Sequence, residues 1–545
     1  MITPFRAATM RSRPWLPFVT VALAYGIVAT HLIDLPGIYA DAINPDYLVA
    51  RILNPHPERT IVWILFGNSL LGDRAPVLIS LYHGSQQFWL GLPLYAIFGT
   101  TVAGVRLTHA AFALGVLAAL YALQARGGVR PWLAAATGVV LALDPSFSYA
   151  FRTQGYITMA PAAWLLLGIL CLIRATESDA TRPGRWLFAS GVFCGLAVVG
   201  YFVWALVLPP IAVAISRWLR AARPERPPLI TWALGFASGS IFYPIGYLLI
   251  ARKLGGIGAM VEFVQEQQEK FGYLKSALSF EGRLRHAWRM IDLVVSDAWH
   301  NSMMFGGELI PTPGAFWKIG LVVGLPYLLW LYAEHQRRAT PLQRLLVALP
   351  VSFVALSLVF GDRLGGHHFV TLVPLFYAAL GLGLATFLSA GRRQPLIPVV
   401  PLVVLAILNV TGQVDISEKL AETRGKGFLS DTIHRFAADL NALPEKPFLW
   451  FAEPAIALPI IMLTRASVPM TDQLDDPEPR STLCAGRNVA MVRVKGHPTE
   501  ARAHEWQANL AWDEPELTPY AQADGTVVFE VATFRGRRDG PGCAR

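Results

Sequence analysis

Over its first four hundred positions the chain alternates long apolar runs with short polar, mostly basic breaks. A helix needs roughly 20 apolar residues to cross a bilayer core. Eleven runs approach that length: 15–33, 103–123, 131–149, 156–174, 185–200, 202–219, 229–250, 316–333, 342–360, 366–389 and 396–412. The stretch 185–219 is too long for one crossing and divides at Gly200-Tyr201. Phe88 to Phe98 is apolar but too short, and predicts an interfacial or re-entrant helix.

The breaks sort by charge. On one side fall Arg6, Arg11, Arg13, Arg126, Arg130, Arg182, Arg185, Arg217, Arg220, Arg223, Arg226, Arg337, Arg338, Arg344, Arg392 and Arg393; the short breaks on the other side hold only Arg152 and Arg363. Arginine-rich loops stay on the cytoplasmic side. The amino terminus is therefore expected inside, with 34–102, 251–315 and 413–545 outside. A cleaved signal peptide ending near Ala40 is the alternative for the first run, and would leave the remaining topology unchanged.

The three outer segments are too long to be mere connectors. Asn44-Pro45-Asp46 reads as a helix start, with Asn as N-cap and Pro at the first helical position, and Asn54-Pro55-His56-Pro57 as its stop. Residues 251–315 mix charge with aromatics and predict amphipathic helices on the membrane surface. In the tail, Asp431–Leu443 has helical spacing, while Phe448–Phe451, Val489–Val494 and Thr526–Phe534 read as strands. The expected architecture is an all-α polytopic membrane domain, 1–412, of about eleven transmembrane helices, followed by a small extracytoplasmic α/β domain, 413–545.

Composition agrees. Of 545 residues, 54% are hydrophobic and 15% charged, against about 25% charged in an ordinary soluble domain. The net charge of +9 would suggest a nucleic-acid partner in a soluble protein. Here it resides mostly in short loops and reads as membrane topology plus anionic ligands, with no nucleic acid. Cys171 and Cys194 lie in apolar runs; Cys484 and Cys543 lie in the polar tail, where a disulfide would require an oxidising compartment. Their spacing alone does not decide whether they pair.

The sequence contains no P-loop, HExxH, CxxC pair or GxSxG, against ATP-driven transport and the common hydrolase chemistries. The remaining candidates are ionisable residues at the outer ends of helices, where a charge is costly without a use. Asp41 follows the first run, with Asp46 five residues on; each has a bland reading, the first as a solvated loop acid and the second as a first-turn acid that suits the helix dipole. His83 precedes the short apolar stretch, where an interfacial histidine without a ligand is the bland reading. Arg152 and Arg363 could be snorkelling to headgroups. His367-His368 could hold a metal, although adjacent helical residues diverge by about 100°. Together these place acids and cations on one membrane face. Cations suit a phosphate, and a carboxylate beside them can take a proton from an attacking hydroxyl. One base and a phosphate clamp suffice for sugar transfer from a lipid phosphate, because the leaving phosphate needs no general acid.

The pattern resembles the GT-C superfamily of membrane glycosyltransferases, and within it the family 39 type: protein O-mannosyltransferases and the aminoarabinose transferases of lipid A. The resemblance runs over nearly all of 10–410. It is carried by Asp41 after the first run, the segment His83-Gly84-Ser85-Gln86-Gln87-Phe88-Trp89, Phe98-Gly99 with Val105-Arg106-Leu107, Leu143-Asp144-Pro145-Ser146-Phe147-Ser148-Tyr149 with Arg152, Gly191 to Ala197, and His367-His368-Phe369 with Pro374. The sequence departs from the family at Ala42, where a Glu usually follows the Asp; at Gly84 and Ser85, where prolines usually follow the His; and at Gln154-Gly155-Tyr156, a region that usually holds an acid. The resemblance implies an inverting transferase that moves a sugar from a polyprenyl-phosphate donor to a lipid, glycan or protein acceptor outside a plasma membrane, here a bacterial inner membrane. It implies Asp41 as base, Asp46 as helper or alternative, and His83, Arg152, Arg363 and His367 around the donor phosphate. It leaves the sugar and any divalent metal open. A transporter or lipid flippase, or a polysaccharide polymerase or ligase, is the alternative.

Overall fold

The computed structural model describes residues 15–62, 68–71, 74–177, 180, 182–222, 228–271, 276–389, 399–540 and 543. Of the arginines sorted above, Arg6, Arg11, Arg13, Arg223, Arg226, Arg392 and Arg393 lie outside them. Over its described residues each apolar run is mostly helical. Among the described residues, seven helices are long and apolar enough to cross a membrane: Val102–Arg126, Tyr156–Thr176, Pro183–Gly200, Ala315–His335, Pro341–Arg363, Gly366–Ser389 and Val399–Thr423. Pro228–Gly239 and Phe242–Leu254 form an eighth, bent by 47°. Shorter apolar helices, Leu16–Thr30, Pro131–Ala142 and Phe202–Trp218, account for the other three runs.

Local chemistry fixes the helix ends. Thr101 caps the first long helix by accepting from the Gly104 amide, and Thr340 caps Pro341–Phe360 by accepting from that of Gln343. The chain breaks after Gly200, as the run length required, and a side chain at Gly200 would run into Gln86 and Pro161. Two of the helices touch through glycine. A Cβ on Gly191 or Gly195 would strike the backbone of Trp232 to Ser240, and one on Gly235 or Gly239 would strike that of Phe188 or Val192. Two facing Gly-x-x-x-Gly pairs thus let Pro183–Gly200 and Pro228–Gly239 pack backbone to backbone, as small residues do between helices in lipid.

Some expectations need correction. Asn44-Pro45-Asp46 does not start a helix. It forms a turn, and the helix runs Leu48–Leu53 with Tyr47 at its N-cap position; the Asp46 carboxylate is turned inward to side-chain partners instead of capping amides. The helix does stop at Asn54. The last long helix also runs past the apolar end at 412 to Thr423. Ile416 and Leu420 are buried there against Tyr149 and Met304, and Gln413 donates to the Ser148 hydroxyl at 2.6 Å. Packing extends the helix beyond what lipid alone would demand.

The tail forms a five-stranded sheet in the order Met470–Thr471, Phe448–Phe451, Val489–Arg493, Val527–Phe534, Glu516–Ala521; the first three strands are parallel and the last two antiparallel to their neighbours. The short strand and the exposed Pro519-containing edge strand were not anticipated; neither has an alternating apolar pattern. One face packs on Glu500–Leu510, where Trp450 and Trp506 stack at 4.7 Å. The other packs on the apolar helix Pro454–Leu463, whose Ile456 and Ile460 share a core with Ile38, Ile43 and Tyr47 of the first loop. Cys484 and Cys543 are joined in a disulfide.

Candidate active site

Asp41 lies on the one-turn helix Ala40–Ile43, which rests against Pro454–Leu463. Its Oδ2 accepts a hydrogen bond from Gln154 Nε2 at 2.7 Å. Burial raises the Asp41 carboxyl above its usual range, and the Gln154 bond opposes that in part. Four residues on, the Thr158 hydroxyl donates to the His367 carbonyl at 2.7 Å. Residues 154–158 therefore link the carboxylate to the start of the Gly366–Ser389 helix.

That start opens on a cavity of about 390 Å³ lined by Tyr82, Tyr201, Tyr247, Gln268, Arg363 and His367, among others. Arg363 is exposed at its rim. His367 Nδ1 is buried and has no hydrogen-bond partner among the described residues. His83 stands behind the aromatic wall, its ring 5.5 Å from that of Tyr201. Its Nε2 is also buried without a partner, and burial lowers its pKa to about 4, so it offers a neutral imidazole. The departures Gly84 and Ser85 have local reasons. A Cβ at 84 would strike Val199, and the Ser85 hydroxyl donates to the Pro76 carbonyl at 2.5 Å.

The two other candidates face elsewhere. Asp46 is fully buried; Tyr95 Oη donates to its Oδ2 at 2.7 Å, and His109 Nε2 lies 3.3 Å from the same oxygen. Arg152 turns toward the first helix. Its Nη2 donates to the carbonyls of Val28, Ala29 and His31, at 2.5, 3.0 and 2.8 Å, and its Nη1 sits 3.4 Å from those of Leu32 and Leu35. It satisfies the carbonyls that a helix C-terminus leaves unpaired.

Sequence reasoning missed the groups that hold this end together. Arg106 donates to the Arg152 carbonyl, and to that of Pro36 at 2.8 Å; His109 Nδ1 contacts the Phe151 carbonyl at 3.0 Å. Deeper, Lys318 Nζ bridges Asp144 Oδ1 at 2.8 Å and Asp297 Oδ1 at 2.7 Å, all three buried. Tyr377 Oη donates to the other Asp144 oxygen at 2.7 Å, and Thr312 to the other Asp297 oxygen at 2.6 Å. The signal was a lone Lys in the apolar run 316–333, which by rule has a partner.

A divalent ion finds no cage of protein ligands among the described residues, where no three His, Cys, Asp or Glu side chains converge. No family model matches the chain, and no curated protein matches it in sequence. Solved structures do. ArnT from Cupriavidus metallidurans bound to undecaprenyl phosphate aligns with a TM-score of 0.56 at 14% identity, over 97% of this chain and 99% of that one.

The chain has the GT-C fold.

The apo form of the same enzyme aligns at 0.54 with 13% identity, over 96% and 98% of the two chains. The archaeal oligosaccharyltransferase AglB from Archaeoglobus fulgidus, in complex with an inhibitory peptide and a dolichol-phosphate, reaches 0.49 at 12% identity, over 93% of this chain and 69% of that one. The GT-C alignment with ArnT takes in both the helical part and the sheet, since nearly the whole of each chain is covered.

Proposed function

We propose that this chain is a GT-C glycosyltransferase that moves a sugar from a polyprenyl-phosphate donor to a hydroxyl acceptor on the extracytoplasmic face, with inversion. The observation that carries the reading is the pairing of a buried-side carboxylate with a cationic, aromatic-walled cavity across residues 154–158, within a fold shared with an undecaprenyl-phosphate-bound structure. Asp41 takes the proton of the acceptor hydroxyl. The hydroxyl oxygen bonds to the anomeric carbon as the bond from that carbon to the donor phosphate oxygen breaks, and the pair of electrons leaves with the phosphate. Raising the carboxyl by burial strengthens it as a base near neutral pH. Arg363 supplies charge to the phosphate and His367 a neutral hydrogen bond, with His83 behind them. Asp46 and Arg152 act as positioning residues, the first tying Tyr95 and His109 together and the second holding the first helix to the 149–153 turn. The disulfide supports an oxidising, outer location for the tail.

The test is a pair of variants read in two assays. Arg363→Gln should weaken undecaprenyl-phosphate binding by about ten- to a hundredfold, the worth of a charge-assisted hydrogen bond. Asp41→Asn should bind undecaprenyl phosphate normally but transfer sugar about 10²–10⁴-fold more slowly. Unchanged binding in the first and near-normal turnover in the second would remove the reading.

A further inference from the structure

Beside Asp41, three separate parts of the chain meet in one row of side chains. The first loop supplies Tyr39, the turn Gly427–Leu429 supplies Phe428, and the tail supplies His497 and Glu453. The ring of Tyr39 lies 6.1 Å from that of Phe428, which meets the His497 ring edge-on at 5.9 Å. His497 Nδ1 is 3.6 Å from Glu453 Oε2. Glu453 caps Pro454–Leu463, the helix on which Ala40–Ile43 rests, and its Oε1 accepts from the Ala455 amide at 3.1 Å. Burial raises the Tyr39 hydroxyl above its ordinary range, and the charges of Asp41 and then Glu453 raise it further. The phenol thus lies within electrostatic reach of both carboxylates.

The row is open enough to be used. All five side chains are half-buried. Asp41 gives Oδ2 to Gln154 and Glu453 gives Oε1 to its helix, and the second oxygen of each carboxylate has no hydrogen bond among the described residues. Ionised carboxylates only accept hydrogen bonds, so these oxygens call for hydroxyl or amine donors. The aromatic rings between them offer flat apolar faces, which suit the C–H side of a pyranose ring. Lys426 and Lys495, each two positions from a ring of the row, are turned to Asp524 at 3.7 Å and Glu530 at 3.8 Å. A phosphate placed here would face two carboxylates and be repelled.

We infer that this row is the acceptor side of the Asp41 site and that the acceptor is an uncharged glycan, one sugar ring lying against Tyr39 and Phe428 with its hydroxyls donating to Glu453 and Asp41. The inference rests on the transferase reading for the role of Asp41, whereas the sugar contact itself needs no donor. The experiment is saturation-transfer-difference NMR on the full chain in a sugar-free detergent. The probes are the methyl glycosides of glucose, galactose, mannose and N-acetylglucosamine, each compared with the 6-phosphate of the same sugar. At least one glycoside should show saturation of its ring protons and bind more tightly than its phosphate. Glu453→Gln keeps an oxygen for the helix cap and removes the charge, and should weaken that glycoside about tenfold. Phe428→Leu keeps the bulk and removes the ring, and should weaken it about threefold to tenfold. Saturation of no glycoside, wild-type binding in both variants, or a sugar phosphate bound as tightly as its glycoside would each overturn the proposal. Undecaprenyl-phosphate binding measured on the same proteins separates the two readings. Binding that still depends on Arg363 while the glycan contact fails overturns the acceptor assignment alone; a glycan contact that persists while the Arg363 dependence fails overturns the transferase reading alone.

Discussion

Replacing Lys318 by Met tests the polar network that ties the helical bundle together. The change keeps the length of the side chain and removes only its ammonium, so the two buried carboxylates lose the cation between them. Each keeps other donors. Asp144 retains the Ser146 amide at 2.8 Å and Tyr377 at 2.7 Å, and Asp297 retains Ser146 Oγ and Thr312, both at 2.6 Å. Breaking a buried ion pair from one side costs about 3–5 kcal/mol, and these remaining bonds place Lys318→Met toward the lower end. Asp144→Asn leaves the lysine still paired to Asp297, so it should cost less, about 1–3 kcal/mol. The triple variant Asp144→Asn, Lys318→Met, Asp297→Asn carries no charge in this network and should recover at least half of what Lys318→Met loses. Unfolding in mixed micelles, followed by tryptophan fluorescence, gives the order. A Lys318→Met protein as stable as wild type, or a triple variant whose loss is the sum of its parts, would refute the reasoning.

Four further outcomes follow. Arg152→Gln should destabilise the chain and expose the first helix to protease, since each buried carbonyl left unpaired costs roughly 1–3 kcal/mol; normal stability with weakened donor binding would return Arg152 to the phosphate site. Burial raises the Asp41 carboxyl, so its base form disappears as pH falls through a value above the ordinary carboxylate pKa of about 4. The acid limb of kcat/KM should sit correspondingly high, and Gln154→Leu, which removes the opposing bond, should move it higher still; a limb that moves down would sink the assignment. Thiol labelling of the unfolded, unreduced protein should count two free cysteines, rising to four on reduction, and a cytoplasm-only reporter fused after Arg545 should be silent. Four labels without reduction, or an active reporter, would count against an outer tail.

What the sequence made legible was what lipid enforces. Every one of the apolar runs is a helix because no other element satisfies its own backbone in hydrocarbon, and the break at Gly200 was visible in run length alone. Asp41 was legible through its place after the first run. Its partner Gln154 was not, because 113 residues separate them. The partners of Arg152 were hidden for a different reason: they are main-chain carbonyls, which no side-chain pattern announces. Asp46 looked like a first-turn acid because Asn-Pro-Asp fits a helix start locally, and only Tyr95 and His109, distant in sequence, reveal where the carboxylate goes. The pairing of Lys318 with Asp144 across 174 residues was equally invisible, although the lone Lys itself was a flag.

The facing glycines also determine something about the candidate active-site cavity that neither helix touches. Past Gly239 the chain bends, and the next helix, Phe242–Leu254, hands on to Ile257–Phe271, which brings Val264 and Gln268 to the cavity wall. These two helices work as a jib, and the glycine contact is its foot. Tyr243 and Tyr247 stay it, bonding to the carbonyls of Tyr82 and Leu81 at 2.9 and 2.7 Å. A methyl group at Gly235 would push the foot away from Phe188, and the displacement would grow along the jib toward Gln268. The bore of the cavity is thus set by a hydrogen atom where a methyl group would otherwise stand, at a position some thirty residues before the wall it governs.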